Sequence, residues 1–177
     1  MKIFAQTLIF VASVVVSAGS AAASLDLESL GSAEINNFRA PEADILSTGQ
    51  PTVDQFELMV NSGVKHVINL RTPGEDAGFD EKAIVESLGM TYHNIPVSVG
   101  DGGINSSNSE ALQALLDEFE DEGALVHCAT GNRVGALISV SEFEDGSTLE
   151  DSITEGVRWG MSSERLQQVV RENLSPK

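Results

Sequence analysis

From Asp44 onward the apolar and polar positions follow two periods that take turns along the chain. "DILSTGQP" reads as a short strand and a turn. "TVDQFELMVNSG" follows, with Val53, Phe56, Met59 and Val60 on one helical face, Thr52 as N-cap and Gln55 three residues on to complete a capping box. Gly63 stops that helix, and "VKHVINL" is a β-branched strand. The unit recurs as the loop "RTPGEDAGF", the helix "DEKAIVESLG" capped by Asp80 and closed by Gly89, and the strand "MTYHNIPV". After the loop "SVGDGGINSSN" come the helix "SEALQALLDEFEDEG" and the strand "ALVHC". Three helical segments complete the chain, "VGALISVSEFE", "TLEDSITEGVRWG" and "SSERLQQVVRENL", with Gly146 and Gly160 between them.

Strands alternating with helices indicate crossover units, so the expected fold is α/β, a mostly parallel central sheet flanked by helices. One domain is expected over residues 44–177, preceded by an N-terminal arm at 24–43 that is polar with scattered apolar positions. The first residues carry a different pattern. Lys2 is followed by an apolar run from Ile3 to Val16 and by small residues ending Ala21-Ala22-Ala23, which reads as a secretory signal peptide cut after Ala23. The other reading is a retained membrane anchor. On the first reading the protein is exported, periplasmic or secreted, with no membrane span after processing.

Removing residues 1–23 from 177 leaves 154, enough for one domain with a substantial core. The removed segment carries only Lys2, so the formal charge moves from −17 to −18. So acidic a surface repels nucleic acid and anionic membranes and disfavours heavily phosphorylated substrates. The single cysteine cannot form an internal disulfide, so outside the cytoplasm it is buried, reactive or intermolecular. No cluster of His, Asp or Glu has metal-ligand spacing, and neither a metal nor a cofactor is expected. The oligomeric state leaves no trace in the sequence.

That cysteine lies in "LVHCATGNRVGAL". Cys128 falls at the carboxyl end of a strand, the edge where open α/β sheets build their sites. Ala129, Thr130, Gly131 and Asn132 form a short turn, and a helix starts at about Arg133. The turn N–H groups then face inward at a helix N-terminus and form an anion cradle. A helix N-terminus and a guanidinium both favour the thiolate, the nucleophilic form of cysteine. Nucleophile, cradle and Arg133 together suit attack at a centre that develops oxyanion charge. The alternative is a buried core cysteine at a strand end.

"HCATGNRVG" resembles the H-C-x-x-G-x-x-R loop of cysteine-dependent protein tyrosine and dual-specificity phosphatases, shorter by one residue between Cys and Arg. It is closer to the C-x-x-G-x-R loop of the bacterial beta-lactamase-hydrolase-like phosphatase-like family. "LSTGQPTVDQFELMVNSGVKHVINLRTPGED" is similar to that family's S-G-Q-P segment, helix and I-N-L-R strand end, and "GMTYHNIPV" to its G-x-x-Y-x-x-I-P-V strand. The resemblance spans roughly Leu46 to Leu174. It implies a phosphoric monoester hydrolase of protein phosphatase type, with Cys128 forming a cysteinyl-phosphate and Arg133 and the turn N–H groups from Ala129 to Asn132 holding the phosphoryl oxygens. His127 would support the loop, Asp101 would protonate the leaving group, and the substrate would be a small phosphorylated molecule or a phosphoprotein. The Ser or Thr that such phosphatases carry after the arginine is replaced by Val134, with Thr130 as a candidate substitute.

Two other functions remain open. A six-residue cysteine loop resembles that of rhodanese-type sulfurtransferases, which hold a persulfide, and a non-catalytic anion-binding module would also tolerate Val134. Arg71, closing "VINLR", is either a further oxyanion contact or an ion-pair partner of Glu75 or Asp76. Asp101 can equally be a solvated turn residue before two glycines. His66 lies mid-strand and His93 near a strand end, while "DEFEDEG" reads as a solvated helix face and Trp159 as packing for the C-terminal helices.

Overall fold

The computed structural model describes residues 24–175. The expected signal peptide at 1–23 lies outside the described residues. Among the described residues no helix is long and apolar enough to cross a membrane.

Four short strands, β1 (Ile45–Thr48), β2 (His66–Asn69), β3 (Thr91–Asn94) and β4 (Ala124–His127), form one all-parallel sheet in the order β1-β4-β2-β3. The α/β fold expected from the alternation is the fold observed. Strand β4 is central and buried along its whole length, as a parallel strand covered on both faces must be. Its period-two alternation sorts the core into two halves. Leu125, with Leu46 and Val67, packs under α1 (Leu27–Gly31), α2 (Val53–Asn61) and α3 (Glu81–Ser87). Ala124 and Val126, with Ile68, face α4 (Ser106–Glu118), α5 (Asn132–Glu144), α6 (Leu149–Arg158) and α7 (Glu164–Leu174).

Local chemistry places the helix ends where the sequence puts them. Thr52 and Gln55 form the reciprocal capping box, Asp80 caps α3 through the Ala83 N–H, and Ser163 caps α7 through the Leu166 N–H. The strand read as "MTYHNIPV" is regular only over Thr91–Asn94. Its continuation stays extended, with the Ile95 and Val97 N–H groups donating to Asn69 and Leu70 carbonyls at 3.0 and 3.1 Å. "DEFEDEG" is exposed except at Gly123 and at Phe119, which is buried and stacks on His66 at a ring separation of 3.9 Å, with His93 at 5.0 Å. Trp159 is buried at the end of α6, and its Nε1 donates to Glu155 at 2.8 Å. In residues 24–43, Leu25, Leu30 and Ile35 are buried in the core half beneath α2.

Helix α5, which carries Arg133, is buried on all sides from Val134 to Val140. It crosses α6 glycine against glycine. A Cβ at Gly135 would collide with the Gly156 carbonyl, and a Cβ at Gly156 with the Gly135 carbonyl and the Ser139 hydroxyl. Backbone walls cannot retreat as side chains do. Gly156→Ala is therefore expected to lower stability by about 2–3 kcal/mol, read as a shifted midpoint in chemical unfolding. A midpoint equal to wild type would mean that the two helices do not meet at this point.

Candidate active site

Strand β4 ends at His127 and delivers Cys128 to the carboxyl edge of the sheet, between the ends of β1 and β2. Cys128 is a free thiol, 1% exposed. Gly131, the N-cap of α5, adopts φ 81°, a left-handed conformation that turns its N–H back into the loop. That N–H donates to the Cys128 Sγ at 3.1 Å. A Cβ at Gly131 would sit 2.5 Å from Asn37 Nδ2, so only glycine fits there.

A loop that turns an N–H inward must be held from outside. Gly49 forms an antiparallel bridge with Thr130, and the Gln50 N–H donates to the Ala129 carbonyl at 3.2 Å. Asn37 Nδ2 donates to the carbonyls of Thr130 and Gly160, both at 2.8 Å. Asn132 Oδ1 accepts the Ser163 N–H at 2.7 Å, tying the start of α5 to the start of α7.

Arg133 lies in the first turn of α5 and is largely buried. Its Nη1 and Nη2 each donate to one carboxylate oxygen of Glu75 at 2.6 Å, and Nη1 also reaches the carbonyls of Val97 at 2.9 Å and Leu70 at 3.2 Å. This bidentate hold fixes the plane of the guanidinium and leaves Nε and one Nη2 hydrogen for a bound anion. Burial opposes its charge, but Glu75 and the Cys128 sulfur outweigh burial and hold Arg133 above its ordinary pKa. The hydrogen bonds from Arg133 bring Glu75 down to about 2.

Beneath the loop runs a second polar cluster. His127 is fully buried, with Nε2 2.9 Å from Glu81 Oε1. Glu81 also accepts from Asn69 Nδ2 at 2.9 Å and Gln50 Nε2 at 2.7 Å, and lies 3.7 Å from Arg71 Nη1. Burial raises the Glu81 pKa, yet His127, Gln50 and Arg71 together leave it below its usual value. Arg71 is itself buried, donating to Gln50 Oε1 and the Glu75 carbonyl and lying 3.9 Å from the Glu75 carboxylate. Its geometry is that of the ion-pair partner among its two sequence readings. The Nε of Arg71 and the Nδ1 of His127 are buried without a hydrogen-bond partner among the described residues.

The structure thus brings Cys128, Gly131 and Arg133 to one point, with His127 behind them. Thr130 points its hydroxyl elsewhere, accepting from Asn132 Nδ2 at 3.1 Å, and Val134 is buried in the core. Among the described residues no hydroxyl is hydrogen-bonded to Sγ. A cavity of about 610 Å³ opens beside the loop, lined in part by Thr130, Asn132 and Arg133 and by Val99 and Gly100. Asp101, next in that segment, is exposed and accepts the Ser98 hydroxyl at 2.6 Å. No His, Cys, Asp and Glu group of three or more is placed to hold a metal among the described residues.

Sequence reasoning missed Glu75 as the partner of Arg133, and missed Glu81, Gln50 and Asn37 altogether. Glu75 was visible only as a neighbour of Arg71 in the chain. Its distance in sequence from Arg133 hides the pair, and nothing in "NNFRAPEAD" marks Asn37 as a loop support.

Comparison with known proteins agrees with the loop motif. No family model matches the chain. Over 110 residues, 60% of its length, it is 34% identical to the Beta-lactamase hydrolase-like protein of Xylella fastidiosa strain Temecula1. The chain spans about a quarter of the length of the curated relatives it matches. Among solved structures it is similar to a "Putative phosphatase (DUF442)" of Shewanella putrefaciens CN-32, at TM-score 0.62 and 25% identity over 85% of this chain and 97% of that one. The fold is shared with a "putative phosphatase" of Neisseria meningitidis z2491, at TM-score 0.63 with 21% identity, covering 78% of this chain and 99% of that one. The resemblance to the beta-lactamase-hydrolase-like, phosphatase-like proteins therefore holds in sequence and in fold.

The Glu75–Arg133 pair makes stability depend on pH. A carboxylate at about 2 when folded and near its ordinary value when unfolded stabilises the native state at neutral pH, by about 1–2 kcal/mol once solvent screening of a partly exposed pair is allowed for. That contribution is complete above about pH 4.5 and is lost as pH falls towards 2. Glu75→Gln is expected to be less stable at pH 7 and to lose part of the acid dependence in that window. Parallel stability–pH curves for the two proteins would contradict the pairing.

Proposed function

We propose that this chain is a cysteine-dependent phosphatase that hydrolyses phosphomonoesters in two steps. Cys128, as thiolate, attacks phosphorus; the S–P bond forms as the P–O ester bond breaks and the alcohol departs. The loop N–H groups and Arg133 meet the phosphoryl oxygens, where charge must be held in the transition state. Water then attacks the cysteinyl-phosphate, releasing inorganic phosphate and the thiolate. Protonation of the leaving oxygen falls to Asp101, the acidic residue of the segment whose Val99 and Gly100 border the cavity. Arg71, Glu81 and His127 act from behind, by holding the strand ends that carry the loop.

The observation that carries this reading is the Gly131 N–H aimed at Sγ beside a guanidinium clamped on its outer edge by Glu75. That arrangement supports a preorganised oxyanion site better than a core thiol, which needs neither. The similarity to phosphatase-like folds supports the same reading.

Hydrolysis of a small aryl phosphate tests it. Reduced wild-type protein should turn the ester over, and Cys128→Ser should abolish turnover, at least about 1000-fold for loss of a nucleophile. Asp101→Asn should slow an alkyl phosphate by about 100-fold and spare an aryl ester whose leaving group needs no proton. Failure of the reduced wild type to turn over, with a persulfide forming on Cys128 after thiosulfate treatment, would favour sulfur transfer instead.

A further inference from the structure

The cavity beside the loop differs in charge from the rest of the molecule. The chain has 27 Asp and Glu residues against 10 Lys and Arg, yet none of the 27 lines this cavity, while Arg133 and Arg165 both do. The contrast with the other end of the sheet is direct. There a cavity of about 420 Å³, where β1 begins, carries Glu42, Asp44, Asp117, Asp121 and Glu155 in its walls.

Arg165 is the second observation. Of the eight Lys and Arg among the described residues, six make ion pairs: Lys65, Arg71, Lys82, Arg133, Arg158 and Arg171. Arg39 bonds to the Phe38 carbonyl. Arg165 alone has neither a hydrogen bond nor an ion pair among the described residues, although Glu164 is its neighbour in sequence. It occupies the first turn of α7, and the Asn132–Ser163 bond holds that turn against the start of α5. The backbone that carries this exposed, unpaired guanidinium is thus held in place relative to the cysteine loop. The cavity shared by the two arginines is lined besides by apolar Val99, Leu166 and Val169 and by the uncharged Thr130, Asn132 and Ser163.

We propose that Arg165 is a specificity-determining residue, and that the substrate is a small phosphomonoester bearing a second acidic group across a short apolar body. This rests on the phosphatase reading of the loop and extends it. The phosphoryl group takes Arg133 and the loop N–H groups, the apolar body lies against Leu166 and Val169, and the second acid takes Arg165. A volume of about 610 Å³ is that of a small-molecule site. An acid-free cavity also reverses, locally, the repulsion that the net charge of −17 imposes on anions.

The test uses the full chain and phosphonates, which bind without being hydrolysed. Phenylphosphonate and its 3- and 4-carboxy derivatives are titrated calorimetrically into wild type, Arg165→Gln and Arg165→Lys. Wild type should bind one carboxy isomer about five- to tenfold more tightly than phenylphosphonate, the gain from one partly exposed charge-assisted contact. Arg165→Gln should bring that ratio close to one, and Arg165→Lys should keep most of it. A wild-type ratio near one for both isomers, or a ratio unchanged in Arg165→Gln, overturns the proposal and leaves the phosphatase reading intact. Failure of phenylphosphonate itself to bind wild type overturns both, because that ligand reports on the loop without Arg165.

Discussion

A loop that presents its N–H groups to an anion gives up the hydrogen bonds that would otherwise hold it. Buried N–H groups need partners, and that of Gly131 is turned to the thiol sulfur. The position of Cys128 therefore depends on what grips the loop from outside. Three segments far apart in the chain do so: Asn37 at the Thr130 carbonyl, Gly49 and Gln50 along Ala129 and Thr130, and Asn132 on the start of α7. Glu75 does the same for the guanidinium of Arg133. Each support fixes geometry in advance, which on the proposed phosphatase function would leave little reorganisation for the moment of reaction.

The same logic explains why buried charge is tolerated at this edge of the sheet. Glu81, Arg71 and His127 are each almost fully buried, a costly arrangement unless charges meet partners. They meet one another and the amides of Gln50 and Asn69, and Gln50 links the cluster directly to the loop through its backbone. Charge is thus sorted by place: paired and buried behind the loop, positive in the cavity beside it, and strongly negative at the opposite edge where β1 begins.

The sequence made the fold legible because its signals are local. Thr52 with Gln55, and Asp80, announce helix starts by side chains that satisfy the nearest N–H groups, and "ALVHC" announces a strand buried on both faces. The centre of the site was legible for the same reason, since Cys128, Gly131 and Arg133 lie within one turn of chain. Its supports were not. Glu75 and Arg133 are separated by α3, β3, α4 and β4, and Asn37 meets Thr130 and Gly160 only because the sheet order β1-β4-β2-β3 folds them together. Net charge averages over the surface and does not report the acid-free cavity that adjoins the cysteine loop.

The most direct measurement of the central claim is mass analysis of Cys128 during turnover. Reduced protein is mixed with an aryl phosphate, quenched within the first turnovers, digested and sequenced by mass spectrometry. A cysteinyl-phosphate is predicted, seen as one phosphoryl group on the peptide containing Cys128 and absent when the same protein is quenched without substrate. Release of the aryl alcohol with no phosphoryl group on Cys128, or with the group on another residue, would contradict the account.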